Sequence, residues 1–234
     1  RIAPPPREEE ISLGDALHRV LARDVKAGGD IPGFARTTVD GYVVRAADTI
    51  GAGEAVPAVL RLAGEIPMGK RPSLFLRPRE GISAPTGAML PAGADAAVMV
   101  EYTERLGDEI LVRRPVAPGE NVILAGEDFP AGSIILPRGR RVSPRDAGIL
   151  AAAGQERVAV YRRPVVGIIS TGNELVPPGE TPGPGQVRDA NGPMCATFAE
   201  ELGCLPRFYG IIRDDREALG SAFETAAGEG DAIL

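Results

Sequence analysis

The run PVVGIIS (residues 164–170) is continuously apolar and is bounded by a proline and by Thr171-Gly172. That is the pattern of a strand buried on both faces. The chain then alternates. NGPMCATFAEELG (191–203) predicts a helix capped by Asn191 and stopped by Gly203, and CLPRFYGII (204–212) predicts a second strand. DDREALGSAFETAAGEG (214–230) predicts a second helix, capped by Asp214 or Asp215, and DAIL (231–234) opens a third strand. A β-α-β-α-β series of this kind predicts a parallel sheet with right-handed crossovers. Its five elements end where a further helix and strand are expected.

Upstream the pattern differs. SPRDAGILAAAG (143–154) carries helix punctuation: Ser143 as N-cap, Pro144 at N1, Asp146 in the first turn and Gly154 as the stop. RVAVY (157–161) reads as a short strand. From 27 to about 133, short apolar runs separated by Gly, Pro and Asp predict an all-β region with long loops, with GDEI (107–110) as a hairpin turn. Residues 9–25, EEISLGDALHRVLARDV, place Ile11, Leu13, Leu17, Val20 and Leu21 at helical spacing and predict a helix started by Ser12 and Asp15. Within RTTVDGYVVR (36–45), Asp40-Gly41 reads as a turn.

Composition excludes several functions. The net charge of −6 and the lack of a Lys/Arg block exclude a nucleic-acid binder. A single histidine, His18, excludes a Ser-His-Asp triad and a multi-histidine metal site. Cys195 and Cys204 are not at zinc-ligand spacing, and they read as reduced, partly buried thiols of a cytoplasmic protein. No apolar run reaches the length of a membrane span. The missing initiator Met and the ending at DAIL are expected of a fragment.

Chemistry must then rest on carboxylates, hydroxyls, backbone amides and a hard metal ion. In an open parallel sheet, ligands collect beyond the carboxyl ends of the strands. STGNELVPPG (170–179) follows the first strand: Ser170, Thr171 and Gly172 offer hydroxyls and close backbone to a phosphate, and Glu174 could hold Mg²⁺ beside it. IIRDDRE (211–217) follows the second, with Asp214 and Asp215 read either as helix caps or as ligands. In the β region, Thr86-Gly87-Ala88 can present a hydroxyl and N–H groups, and AGEDFPAG (125–132) puts Glu127 and Asp128 on a glycine-bounded loop.

TTVDGY (37–42), TGAMLPAGADAAVMVEYTE (86–104), GENVILAGEDFPAG (119–132) and STGNELVPPGETPGPGQVRDAN (170–191) occur in this order and spacing. Together they resemble the molybdopterin molybdenumtransferase family, related to the E domain of gephyrin. The resemblance implies a multi-domain α/β plus β fold. Residues 1–27 and 128–162 would form a discontinuous α/β domain I, 28–127 an inserted, mostly β domain II, and 163–234 an incomplete molybdopterin-binding α/β domain III. It implies a transferase that inserts molybdate into adenylylated molybdopterin and releases AMP with Mg²⁺. The implied partners are a second copy, in an elongated homodimer whose cleft joins domain II of one subunit to domain III of the other, and the molybdopterin-adenylylating protein of the same pathway.

Carried over by motif, Asp40, Asp128, Glu174 and Asp215 are the expected catalytic acids. Thr86, Gly87, Ser170, Thr171 and Gly172 are the expected substrate-binding residues, and Glu174 and Asp215 the metal ligands. Thr38-Val39 stands where the family has Ala-Met, and Phe129 where Ile is common. The family's later glycine-rich, Lys-Pro-Gly-Lys and Leu-Pro-Gly-Asn-Pro segments have no counterpart among these residues, so the fragment alone is expected to be inactive and its parent active. A non-catalytic gephyrin-like scaffold and a degenerate homologue are the alternatives.

Overall fold

The computed structural model describes residues 7–234; the first six residues of the expected domain I lie outside the described residues. The chain divides into two compact units, Val25–Ile135 and the remainder on either side of it.

In the flanking unit, β1 (Glu8–Ser12) pairs antiparallel with residues 157–161. The helix expected over 9–25 is not there. After β1 the chain makes one 3-10 turn, Leu13–Asp15, and His18 then takes a left-handed φ of +64°. Backbone N–H groups that a helix would direct four residues back instead cross to distant chain: Leu13 to Glu156 O, His18 to Val142 O, Leu21 to Arg140 O and Ala22 to Ala159 O. The apolar spacing was real, but these cross-chain bonds bury Ala16, Leu21 and Ala22 and leave Leu17 exposed.

The unit Val25–Ile135 is all-β. It contains β2 (Val25–Lys26), β3 (Arg36–Thr37), β4 (Gly41–Val44), β5 (Ala58–Glu65) and β6 (Glu80–Ala84). The chain continues through β7 (Ala96–Met99), β8 (Thr103–Leu106), β9 (Glu109–Val112) and β10 (Val122–Ile123), and leaves through β11 (Ile134–Leu136). Six strands form one sheet in the order β7-β4-β6-β5-β9-β8, antiparallel except between β5 and β6. Strand alternation buries both faces: Val43 packs with Ile66, Ile82 and Ala97, while Tyr42 and Val44 pack with Leu60, Val98 and Ile110. The expected 107–110 hairpin joins β8 to β9, with Leu106 opposite Glu109 and Gly107 at φ +63°.

The chain bends at 38–40 as expected, but the bend does not join a hairpin. β3 pairs with β10 and β4 with β6 and β7, so the two strands flanking Asp40 are not neighbours. Gly41 is the first residue of β4, and its glycine has a different cause: at φ +157° a Cβ would lie 1.9 Å from Val98 O of β7.

Past β11, α1 (Pro144–Ala152) starts as expected in a capping box between Ser143 and Asp146 and leads to β12 (Arg157–Tyr161), the partner of β1. The remainder comprises β13 (Val165–Thr171), β14 (Leu175–Val176), β15 (Val187–Arg188), α2 (Asn191–Glu201), β16 (Leu205–Ile212), α3 (Arg216–Glu229) and β17 (Ala232–Ile233). The expected parallel sheet is present in the order β16-β13-β17. Val166 and Ile168 of the central β13 pack on Ala199 of α2, and Gly167 between them faces Ala226 of α3. The two helices therefore cover opposite faces. Asn191 does not cap α2. The Asp189 carboxylate does, accepting the Gly192 N–H at 2.9 Å, whereas α3 is capped by Asp215.

Candidate functional site

The predicted site residues fall into two groups, one in each unit. In the β unit, Asp40 Oδ1 accepts the Thr86 N–H at 2.7 Å and the Thr86 hydroxyl at 3.0 Å. These two bonds, the backbone one foremost, hold the Asp40 carboxyl below the usual carboxylate range, so it stays an acceptor. The loop that carries Thr86 cannot form a regular strand and is laced instead onto the chain before Asp40. Thr37 N–H donates to Ala88 O, Gly87 N–H to Thr37 O, and Leu90 N–H to Ala35 O. The Thr37 hydroxyl, fully inside, donates to Pro85 O at 2.9 Å. Gly87 thus supports the loop with its N–H committed. From the other side, Asp40 O accepts the Val100 N–H at 3.0 Å.

Asp128 lies on a third loop, anchored where Ile31 and Phe129 exchange backbone hydrogen bonds. Its neighbour Glu127 is tied within the loop, accepting the Leu124 N–H at 2.7 Å. The Asp128 carboxylate is exposed and has no hydrogen-bond partner among the described residues. No hydrogen bond there joins it to Asp40 or Thr86.

In the flanking unit, the predicted residues gather at the carboxyl ends of β13 and β16. Gly172 N–H donates to Ile212 O and Asn173 Oδ1 accepts the Asp214 N–H at 3.3 Å, so the two post-strand loops are joined. A cavity of about 420 Å³ opens beside them, lined by Gly172, Asn173, Pro177, Asp189, Phe208 and Arg213 among others. Glu174 is exposed and its carboxylate folds over Gly172, where a Cβ would meet Oε2 at 2.7 Å. Asp215 is exposed, with one oxygen committed to the Ala218 N–H at 2.8 Å and the other without a partner among the described residues. Among the described residues, no group of three or more His, Cys, Asp or Glu gathers to hold a metal ion.

A second cavity of about 210 Å³ is lined by Ser170, Thr171, Asp189, Asn191, Gly192 and Cys195 among others. Ser170 is buried and donates its hydroxyl proton to Asp189 Oδ2 at 2.6 Å. Thr171 is exposed, and its hydroxyl has no partner among the described residues.

Three lining groups went unnoticed in the sequence. Asp189 was hidden by Asn191 two residues on, an equally good capping type. Arg213 was overshadowed by the acids beside it, although it is the cation of its post-strand loop. Phe208 became part of a wall only because its strand lies beside β13.

Comparison with known proteins follows the same division. A family described as "MoeA N-terminal region (domain I and II)" matches residues 1–154, and one described as "Probable molybdopterin binding domain" matches 167–234. A molybdopterin molybdenumtransferase of Bacillus subtilis is 36% identical over 230 residues, covering 97% of this chain and 54% of the relative. One from a Nostoc species is 34% identical, over 97% of this chain and 52% of its own length. The crystal structure of a molybdopterin biosynthesis moeA protein from Pyrococcus horikoshii superposes with a TM-score of 0.92 at 37% identity, covering 100% of this chain and 62% of that one. The chain spans about half the length of the curated relatives it matches. The chain belongs to the MoeA family, matched over residues 1–154 in the part described as its N-terminal region, domains I and II.

Proposed function

We propose that the protein carrying this chain completes the molybdenum cofactor, inserting molybdate into adenylylated molybdopterin and releasing AMP. The observation that carries this reading is the joined pair of loops beyond β13 and β16 around one cavity, in a segment matched by a molybdopterin-binding family. Its working unit is a cytoplasmic homodimer, with domain I formed by 1–27 and 128–162, domain II by 28–127 and domain III by 163–234. Domain II of one subunit faces domain III of the other. The adenylylating protein of the pathway supplies the substrate.

Cleaving a phosphoanhydride beside molybdate brings two anions together, so positioning and charge neutralisation dominate the barrier. Arg213 and the free hydroxyl of Thr171 bind phosphate oxygens. Phe208 and Pro177 cover the flat face of the pterin or adenine. Asp40, held ionised by Thr86, accepts a proton or hydrogen bond from the substrate, and Asp128 approaches on its own loop. Mg²⁺ commonly uses one or two carboxylates and completes its shell with substrate phosphate and water. Glu174 and the uncommitted oxygen of Asp215 fit that limited role and would hold the ion, which supplies charge neutralisation when bound.

The test is Asp40→Asn in the full-length protein, assayed with adenylylated molybdopterin, molybdate and Mg²⁺. We expect a loss of cofactor synthesis of at least about tenfold with unchanged folding. A folded variant working at the parental rate removes Asp40 from the reaction.

A further inference from the structure

We infer that Ser170 meets its ligand as a hydrogen-bond acceptor, not as a donor, and that Asp189 is the positioning residue that sets this polarity. The ligand group at Ser170 is therefore the amino group of a heterocycle rather than a phosphate oxygen. The inference rests on the proposed function for the candidate compounds, a pterin or an adenine, and deepens it.

A serine hydroxyl has one proton and two lone pairs. In Ser170 the proton points inward, to Asp189 Oδ2 at 2.6 Å. The other Asp189 oxygen is fixed by the Gly192 N–H at 2.9 Å, in the first turn of α2. Neither partner can turn away: Ser170 and Asp189 are both buried, and no buried side-chain polar atom among the described residues lacks a partner. The space between them is closed as well. A methyl group at Gly192 would lie 2.5 Å from Asp189 Oδ2 and 2.7 Å from Ser170 Oγ, so no water fits between the pair. The lone pairs of Ser170 remain, on a residue that lines the smaller cavity. A phosphate oxygen placed there would face lone pairs, which repel it. An exocyclic amino N–H would be satisfied.

The arrangement makes an unusual substitution informative. In Asp189→Asn the side-chain oxygen must still serve the Gly192 N–H, because an amide NH₂ cannot accept it. The NH₂ then faces Ser170 and donates to it, and the serine proton turns outward. One isosteric change thus reverses the polarity presented to the ligand while preserving the helix cap.

Two ligand pairs exchange an amino group for an oxo group on the same ring: pterin against lumazine, and AMP against IMP. Binding of all four to the chain is measured by calorimetry for the wild type, Ser170→Ala and Asp189→Asn. Thermal unfolding checks that each variant is folded. In the wild type we expect the amino member of one pair to bind about tenfold more tightly than its oxo partner, the size of one hydrogen bond. Which pair shows this identifies the ring. The preference should collapse in Ser170→Ala and reverse in Asp189→Asn. A merely structural Asp189 would weaken both members equally. Should Asp189→Asn fail to fold, the collapse in Ser170→Ala decides alone. An amino preference unchanged in the folded variants, no amino preference in either pair, or no binding of any of the four overturns the inference. Because turnover is not measured, cofactor synthesis by the full-length protein stands or falls separately.

Discussion

Replacing Gly41 by alanine tests how the Asp40 region is built. At φ +157° an alanine enters backbone space occupied essentially by glycine, a cost of about 1–3 kcal/mol. Its methyl group would start 1.9 Å from Val98 O, 2.9 Å from Val100 N and 3.0 Å from Val98 C, all backbone atoms of β7 and the residue following it. No rotamer relieves that overlap, so the end of β7 must move, which adds about 1–3 kcal/mol of overpacking. The sum is about 2–6 kcal/mol. With a urea dependence of about 2 kcal/mol per M, the unfolding midpoint of the β unit should fall by roughly 1–3 M. Gly107→Ala is the matched control: φ is +63°, but no atom lies within 4 Å of the added carbon, so only the conformational cost of about 1 kcal/mol applies. Urea unfolding followed by circular dichroism compares the two. If Gly41→Ala is no more destabilising than Gly107→Ala, the close crossing of β7 over Gly41 is refuted, and with it the account of how Asp40 is held.

Thr86→Val removes one of two donors to Asp40 but leaves the backbone N–H, so the Asp40 pKa should rise only part of the way toward its ordinary value in a carboxyl carbon NMR titration; an unchanged value would contradict the bonding. For Asp146, burial raises the pKa, but the Ser143 N–H, the Arg140 guanidinium and the Ser143 hydroxyl outweigh it, and the net shift is downward. Its contribution is therefore complete above the unfolded value of about 3.9 and is lost as pH falls from there through the lower folded value. Asp146→Asn should cost about 1–3 kcal/mol at neutral pH and flatten the acid limb of the urea midpoint against pH; a limb as steep as in the wild type would assign it to other carboxylates.

Readable parts of the fold were those whose signals act locally. Ser143, Pro144, Asp146 and Gly154 bracket α1 within a dozen residues, and each apolar run of the parallel sheet carries its own stop. The segment from Ile11 to Leu21 misled because apolar spacing does not record backbone pairing: hydrogen bonds to residues 140–159 bury Ala16, Leu21 and Ala22, of which only Leu21 belongs to the predicted face. Asp40 was identifiable through its motif, but the reason for Gly41 was not, because the decisive atom, Val98 O, belongs to another strand. Ser170 was visible as a hydroxyl beyond a strand. Which way its proton points depends on Asp189, 19 residues away, and no local pattern records that.

The bond between Asp40 and Thr86 spans 46 residues, and the lacing of 85–90 onto 35–37 spans about as many. Contacts this distant in sequence close large loops and form slowly. A chain that has folded only its local pieces, such as the β8–β9 hairpin, holds Asp40 as an ordinary solvated acid. The lowered Asp40 pKa is thus a timestamp of assembly, arising only when chain segments far apart in sequence have met. Followed through refolding, it would report the moment at which the loop at 85–90 is laced onto residues 35–37.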